Sequence, residues 1–426
     1  MSSAAPTPHA STDDLIRWRM RSLGLRHPLP GAEWEGAQDR LRAVADRMLA
    51  VQGQDWNAAR WAFGVRAPGT TEADVVAAFD SGALVRSWPM RGTIHLLAAG
   101  DLGWMQALTN HRVLPGAAKR RQFLGLDDGT LARMTDIAVG RLTGGRSLSR
   151  DELALAWTEA GIGDPEKGVG PWRYHVIWWL CQNGIAVAGP VNAAPGAEAS
   201  AAAADPEAGA GASAETGSIP EPRLVLAEEW IAAPRRIDGD EALAELAARF
   251  SLGRGPVQDR DLAWWTGLTM REARRGIAAA EEEGRLAPVE VDGTRYVADP
   301  ALLDATGAAG ALGAAAGSSP GAGQPDADDV MLLPGFDEHL LGYADRSAVL
   351  DPEHFERIVP GRNGMFRATV VRGGRVVGVW MRTPRAGRVR IEVEPFPGEA
   401  IDLGRLRAPA EPWGAFRGVD IELAVG

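Results

Sequence analysis

Apolar residues recur at helical spacing at Leu15, Trp18, Met20 and Leu23, after a start at Asp13 or Asp14 that suits a helix cap. The same spacing returns in Leu41, Val44, Ala45, Met48 and Leu49 and predicts a helix over about 36–51. Asp55 is placed to cap a short helix carrying Ala58, Ala59, Trp61 and Ala62, and Thr70-Thr71-Glu72-Ala73-Asp74 opens another with Val75, Val76 and Phe79 inward. The period then changes: residues 84–88 and 93–97 read as strands joined by Pro89-Met90-Arg91-Gly92. Helices followed by a hairpin outline a winged helix.

That outline returns twice. One copy opens at Ser147-Leu148-Ser149-Arg150-Asp151-Glu152, has its last helix near 172–183, and begins its hairpin at Gly184-Ile185-Ala186-Val187. The other opens at Gly255-Pro256, continues through Leu262-Ala263-Trp264-Trp265 and a helix over about 270–283, and closes on a hairpin turning at Asp292-Gly293. The spacing is irregular, which suggests tandem domains and not a solenoid.

Two stretches interrupt this grammar. Residues 192–218 and 305–327 are almost entirely Ala, Gly, Ser, Pro and acids, a composition that cannot bury a core. The first extends a hairpin tip, because Arg223-Leu224-Val225-Leu226 resumes a strand. From Val330 the pattern is of short strands: 369–371, 376–380 and 389–393, the first two flanking Arg372-Gly373-Gly374-Arg375. The expected architecture is α+β, with tandem winged-helix domains followed by a small C-terminal antiparallel β-barrel. The expected division is a disordered tail at 1–12, a first winged helix at 13–125, a second at 126–235 with a flexible insertion at about 192–218, a third at 236–304, a flexible linker at 305–328 and the barrel at 329–426.

Size and composition narrow the setting. The chain has 426 residues, too many for one ordinary core. Cys181 is the one cysteine, so an internal disulfide framework is excluded and a reducing, cytoplasmic setting is expected. No run approaches the roughly 18 apolar residues of a membrane span, and the first 14 residues lack an apolar signal region. The net charge of -11 speaks against nucleic acid on its face, but the distribution is uneven. Residues 357–390 hold nine arginines and no Asp, Glu or Lys, and smaller clusters lie at Arg17, Arg19, Arg21, Arg26 and at Arg112, Lys119, Arg120, Arg121. Coding bias toward arginine explains the scarcity of lysine; it does not explain the absence of acids, so an anion-binding strip is expected. Its hairpin tip at 382–388 has a shape that can enter a DNA groove.

Candidate chemistry is sparse. There is no Walker loop, dinucleotide fingerprint or zinc spacing, and neither a metal nor a cofactor is expected. His95 with Asp101 is better read as a satisfied polar residue on a wing than as a catalytic pair. Asp337-Glu338-His339 points adjacent side chains in different directions and continues into Leu340-Leu341, which argues against a metal site. Each tryptophan pair, Trp178-Trp179 and Trp264-Trp265, can turn at most one indole inward. That leaves Gln52-Gly53-Gln54. Residues at i and i+2 share a face only in extended backbone, so the two amides converge only if the helix ends near Val51, an ending that Gly53 eases. On their own they could hold a water, bond a base edge, or simply be polar residues at a helix end.

The order of features resembles the winged-helix DNA glycosylases related to AlkZ and YcaQ. The matching segments are Gln52-Gly53-Gln54, Arg91-Gly92-Thr93-Ile94-His95-Leu96, Ala263-Trp264-Trp265-Thr266-Gly267-Leu268, and the run from Leu333-Pro334-Gly335-Phe336-Asp337-Glu338-His339 to Asp345-Arg346. They cover the chain from about residue 15 onward, with the two Ala/Gly-rich insertions outside the pattern. The resemblance implies three tandem winged helices around a cleft, a small barrel, and excision of alkylated purines from duplex DNA, some members unhooking interstrand crosslinks. Carried over, Gln52 and Gln54 are the catalytic pair, and Gln54 rather than Asp places the chain nearer the AlkZ branch, which is associated with self-resistance to DNA-alkylating natural products. Arg91, His95, Arg382, Arg385 and Arg388 are the expected DNA contacts. The expected protein is a monofunctional, monomeric glycosylase of the nucleoid, independent of membranes. A non-catalytic winged-helix DNA-binding regulator is the rival class, and a sequestering paralogue that releases no base is a third.

Overall fold

The computed structural model describes residues 9–26, 35–164, 168–192, 219–304 and 329–426. Two compact units emerge, one of Met1–Glu72 with Ile237–Gly426 and the other of Ala73–Arg236. The cuts fall elsewhere than the sequence pattern places them: the 84–98 hairpin, expected in one domain with the glutamine stretch, belongs to the other unit. The expected linker lies outside the described residues, as do 193–218 of the expected insertion and 1–8 of the expected tail.

In the Ala73–Arg236 unit, strands Leu84–Met90 and Thr93–Ala98 pair antiparallel as the sequence predicts, but the first strand runs on through Pro89 and Met90, so the expected four-residue connection is a two-residue turn at Arg91 (φ 52°) and Gly92 (φ 68°). The register shifts between Ser87 and Met90, where Pro89 has no N–H to give the ladder. Leu84–Met90 also borders Ala186–Ala188, which pairs with Leu224–Leu226. Hairpins read as two separate wings thus share one sheet. Helices Asp128–Leu142, Arg150–Glu159 and Trp172–Gln182 bury Met134, Trp157 and Leu180 with Trp88 of the sheet, and the Trp157 indole donates to the Met134 carbonyl at 2.8 Å. The helix Leu102–Leu124 has no counterpart in the sequence pattern. Beyond Thr109 only Ala117 of it is buried and Pro115 sits inside it, so no apolar stripe marks that half.

The other unit begins with a correction. Residues 9–12 are ordered: His9–Ala10 pairs in parallel with the strand Ala287–Val291. Ser11, not Asp13 or Asp14, caps the helix Thr12–Ser22, and Asp14 completes a capping box. Leu15 and Trp18 pack on Val289 and Val291. Helices Gly239–Arg254, Asp259–Thr266 and Met270–Glu282 lead into the hairpin Ala287–Val291 and Thr294–Ala298, which turns at Asp292-Gly293.

The C-terminal strands form a five-stranded open sheet and not a barrel. Its order is Ile421–Val425, Arg388–Pro395, Arg375–Arg385, Thr369–Arg372, Val330–Leu333. All neighbours are antiparallel except the last strand, which runs parallel to Arg388–Pro395 after a crossover through the helix Leu403–Arg417. Among the described residues the two edge strands do not pair with each other. The crossover helix lies on the sheet instead, with Trp413 edge-on to Trp380 at 5.9 Å and Phe416 against Trp61 at 5.3 Å.

Candidate functional site

The helix Ala37–Met48 stops three residues before the predicted end, and its terminator is Leu49, not Gly53. Leu49 has φ 60° and ψ -52°, and the Ala50 N–H reaches back to the Met48 carbonyl at 2.6 Å. This is a γ-turn of the strained hand, which persists only where the surroundings hold it. Val51–Gln52 is extended, and the chain re-enters a helix at Trp56–Gly64, capped by the Asp55 side chain on the Ala58 N–H at 3.0 Å. Gln52 and Gln54 therefore sit two apart in the non-helical segment between two helix ends. Gln52 is buried, at 9% exposure, and Gln54 is exposed.

What holds the turn is a buried ionic cluster centred on Glu338, within the same unit. One carboxylate oxygen accepts from the Gln52 backbone N–H at 3.1 Å. The other accepts from Arg254 Nη2 at 2.7 Å and Nε at 3.0 Å, and from the Trp265 indole at 3.0 Å. Arg254 then donates to the carbonyls of Met48 at 2.9 Å and Ala50 at 2.8 Å, on either side of Leu49. Its guanidinium lies over the Trp265 ring at 4.1 Å, and both charged side chains are essentially inaccessible. Desolvating such a pair is costly, and it persists where every donor and lone pair is used. Gly342 makes room: a Cβ there would meet the Glu338 carbonyl at 2.7 Å and Arg254 Cδ at 3.1 Å. Gly253 admits the Arg47 backbone in the same way.

The neighbouring residues of the Asp337-Glu338-His339 run have equally structural partners. Asp337 takes a bidentate pair from Arg66, at 2.8 and 2.9 Å. Burial alone raises its carboxyl, but the Arg66 guanidinium overrides this and leaves it below its ordinary value. Burial pushes the His339 imidazole down to about 4, against the pull of Asp337. Among the described residues no cluster of three His, Cys, Asp or Glu is gathered as a metal would require. Trp265 is fully buried and Trp264 half-buried with Arg346 stacked on it, so this tandem pair does turn one indole inward.

The expected DNA contacts separate. Arg91, at the hairpin turn, is half-buried. His95 is a correction: its ring is fully buried, with Nδ1 3.0 Å from the Thr93 carbonyl, and offers no surface to DNA. Asp101 accepts from the Trp104 indole at 2.8 Å and from Arg235 at 3.1 Å, a structural role. The arginine strip is largely neutralised by acids lying outside its own 34 residues, through Arg357 and Arg367 with Glu394, Arg372 with Glu399 and Arg375 with Asp13. Arg385 and Arg388 differ: both are exposed, they face each other across the hairpin tip, and among the described residues neither has a carboxylate partner. Arg382 lies on the opposite face of the pleat, with Trp380 and Ile391, so the three expected arginines are not one cluster.

Sequence reasoning overlooked Glu338, Arg254 and Trp265 as the support of the glutamine turn. The one available signal was an acid embedded in an apolar run, which demands a buried cation somewhere in the chain.

A family model described as "DNA glycosylase AlkZ-like" matches residues 45–416. The chain is 26% identical over 413 residues to an interstrand DNA cross-link repair glycosylase of Streptomyces sahachiroi, covering 93% of this chain and 96% of that protein. The solved structure of Streptomyces sahachiroi DNA glycosylase AlkZ superposes with a TM-score of 0.68 at 21% identity, over 98% of this chain and 100% of that one. This last likeness establishes the mixed α+β fold.

Proposed function

The chain belongs to the AlkZ-like DNA glycosylase family, and from that premise we propose that it is a monofunctional hydrolase of the N-glycosidic bond of cationic, N7-alkylated purines in duplex DNA, interstrand crosslinks and bulky natural-product adducts included. The observation that carries this reading is the pair Gln52 and Gln54, set between two helix ends by a turn that a buried Glu338–Arg254–Trp265 cluster holds. A neutral amide is a poor acid and a poor base, and what it does well is orient a water molecule.

N7 alkylation makes that sufficient. The purine already carries a positive charge, so it leaves with the C1′–N9 electron pair as a neutral base and needs no protonation. The water oxygen, oriented by hydrogen bonds from its protons to the amide oxygens, bonds to C1′, and its surplus proton is lost to bulk water. The same carbonyl dipoles favour the positive charge that develops on the sugar, and positioning supplies much of the rest. An amine nucleophile has little material here. The chain has two lysines, of which Lys119 is an exposed residue of the other unit and Lys167 lies outside the described residues.

We read the helix-plus-hairpin segments as winged helices that place the protein on duplex DNA as a monomer in the cytoplasm, in a self-resistance role. The hairpin tip with Arg385 and Arg388 is its groove contact, with Arg91 as a further candidate, and Arg382 acts behind the tip. The crosslink chemistry named for the Streptomyces sahachiroi relative is a proposal for this chain. The test is incubation with a duplex carrying N7-methylguanine, scored for free base and an alkali-labile site. Base release that falls ~10²–10³-fold in Gln52→Ala and Gln54→Ala, the range for losing one preorganised polar group, supports the assignment. Release at the parental rate removes it, and binding with no release returns the protein to the regulator or sequestering class.

A further inference from the structure

The helix Leu102–Leu124 of the Ala73–Arg236 unit leaves its second half outside the core. Residues 102–126 hold Arg112, Lys119, Arg120 and Arg121 and no acid, in a chain whose net charge is -11. At 3.6 residues per turn, Arg112, Gly116, Lys119 and Phe123 fall within about 60° of one another around the axis, with Arg120 at the border. All five are exposed. Phe123 is 79% exposed, a rare setting for a ring, and the Arg120 guanidinium lies over it at 5.1 Å. A Cβ at Gly116 would touch nothing outside the helix, so the stripe has a notch at its middle.

Packing and helix stability explain only part of this. Cations in the last turn suit the helix dipole, and Arg121 is built in, stacked on Trp179 at 5.1 Å and paired with Asp128 at 3.1 Å. Lys119 and Arg120 have no carboxylate partner among the described residues. Arg112 stands about three turns upstream of the helix end, beyond the reach of the dipole. A helix exposed on most sides is ordinarily supported by i,i+4 ion pairs, and this one contains no acid to form them. The positive field reaches His175 on the neighbouring helix: burial first, then Arg121 and Arg120, hold its imidazole below the ordinary value.

We propose that this stripe is a second DNA contact, additional to the hairpin tip: Arg112, Lys119 and Arg120 pair with backbone phosphates, and Phe123 lies on the apolar edges of the sugars and bases between them. The proposal goes beyond the glycosylase reading and uses none of its chemistry. Arg112 and Lys119 are about 10 Å apart along the helix axis, roughly three phosphate steps of one strand. Gly116 between them lets the helix backbone approach a sugar closely. A membrane-surface helix needs a continuous apolar face, whereas Phe123 is the one large apolar side chain listed by exposure on this helix, and it stands among cations.

The experiment uses the full chain and a short undamaged duplex, with affinity read by fluorescence anisotropy over a range of salt. Lys119→Gln with Arg120→Gln is expected to lower the slope of log K against log salt by about 1.8, two phosphates at about 0.9 each, with the thermal midpoint unchanged. Phe123→Ala is expected to weaken binding about fivefold or more at an unchanged slope, as loss of an aromatic contact to a base does. Photo-crosslinking needs no loss of binding, so a misfolded variant does not decide the matter. Phe123→p-benzoylphenylalanine is expected to give a duplex adduct on irradiation. Leu403→p-benzoylphenylalanine, at an exposed position beside Asp402, is expected to give none. An unchanged slope in the double variant, no adduct at position 123, or equal adducts at both positions each overturns the proposal. So does binding of phosphatidylserine vesicles as tight as that of the duplex and lost in the same variants. The glycosylase reading fails separately, by the absence of N7-methylguanine release, which binding of undamaged duplex does not touch.

Discussion

At the residue scale, the chemistry assigned to Gln52 depends on a carboxylate 286 positions away in sequence. Removing that carboxylate leaves Arg254 charged and unpaired inside the protein. Breaking a buried pair from one side costs about 3–5 kcal/mol, so Glu338→Ala is expected to lower the thermal midpoint strongly. Glu338→Gln keeps an acceptor for the Gln52 N–H and is expected to recover part of the base release while kcat stays below the parent and KM moves little. If the alanine variant unfolds at the parental temperature, the cluster does not hold the turn. His339 gives a prediction in pH. Its folded value of about 4 lies below the ordinary histidine range near 6.5, because burial disfavours the charged ring. Above about pH 6.5 neither state binds the proton, and the contribution to stability is fully present. As pH falls from about 6.5 toward about 4, the unfolded chain takes up a proton the folded one refuses, and stability drops by up to ~1.4 kcal/mol per unit. His339→Met removes this proton uptake and is expected to flatten unfolding free energy against pH across that window. Parallel curves for parent and variant contradict the assignment. None of this is legible from local pattern. The Asp337-Glu338-His339 run stands out as chemistry-bearing, but which buried cation answers each acid is a long-range fact that periodicity does not carry.

At the element scale, short-range signals serve well where the physics is short-range. Asp55 as a cap, the Arg91-Gly92 and Asp292-Gly293 turns and the strand at Leu224–Leu226 all follow from two to four residues of sequence. The elements that escape notice lack such marks. Leu403–Arg417 carries Pro409 and Pro412, which read as breaks, and the strand Ile421–Val425 is half-exposed with no turn signal before it. The hairpin Arg375–Arg385 with Arg388–Pro395 shows how a run of like residues divides once the pleat is known. Arg385 and Arg388 are directly opposed like charges, an arrangement that disfavours the free hairpin and is relieved by an anion between them. Arg385→Ala with Arg388→Ala is therefore expected to leave folding stability unchanged or slightly higher. The same pair of changes should weaken duplex binding and lower the slope of log K against log salt by about 0.9 for each phosphate left without its arginine. Arg382→Ala is expected to change that slope less, because this side chain lies on the other face of the pleat. An unchanged slope in the double variant rules out the tip as the DNA contact.

At the scale of the whole molecule, the class of fold is legible as alternating helices and hairpins, but its partition is not. Which hairpin joins which sheet depends on pairings such as Arg86 with Ala188, between segments about a hundred residues apart and separated by helices that leave little trace in the pattern. The C-terminal strands suggest closure because strand count and turns are visible in sequence. The crossover helix that leaves the sheet open is visible only in the fold. The proposed function does not depend on these pairings, since it rests on the Gln52 and Gln54 segment. With Gln52 and Gln54 proposed as the catalytic pair, the proposed mechanism assigns neither a strong general acid for a neutral base nor an amine for a Schiff base, and the chain's two lysines offer little material for the latter. Its substrate range should follow the charge of the leaving group. N7-methylguanine and N3-methyladenine, both cationic in DNA, are expected to be released. Uracil and 8-oxoguanine, both neutral, are expected to remain in the duplex at the background rate. Borohydride added during turnover should trap no protein–DNA adduct, and strand cleavage should appear only after alkali. Release of uracil at a rate comparable to N7-methylguanine means a general acid is at work and removes water positioning by Gln52 and Gln54 as the sufficient cause. A trapped adduct points to an amine, and Lys119→Arg with Lys167→Arg then tells whether a lysine or the N-terminus supplies it.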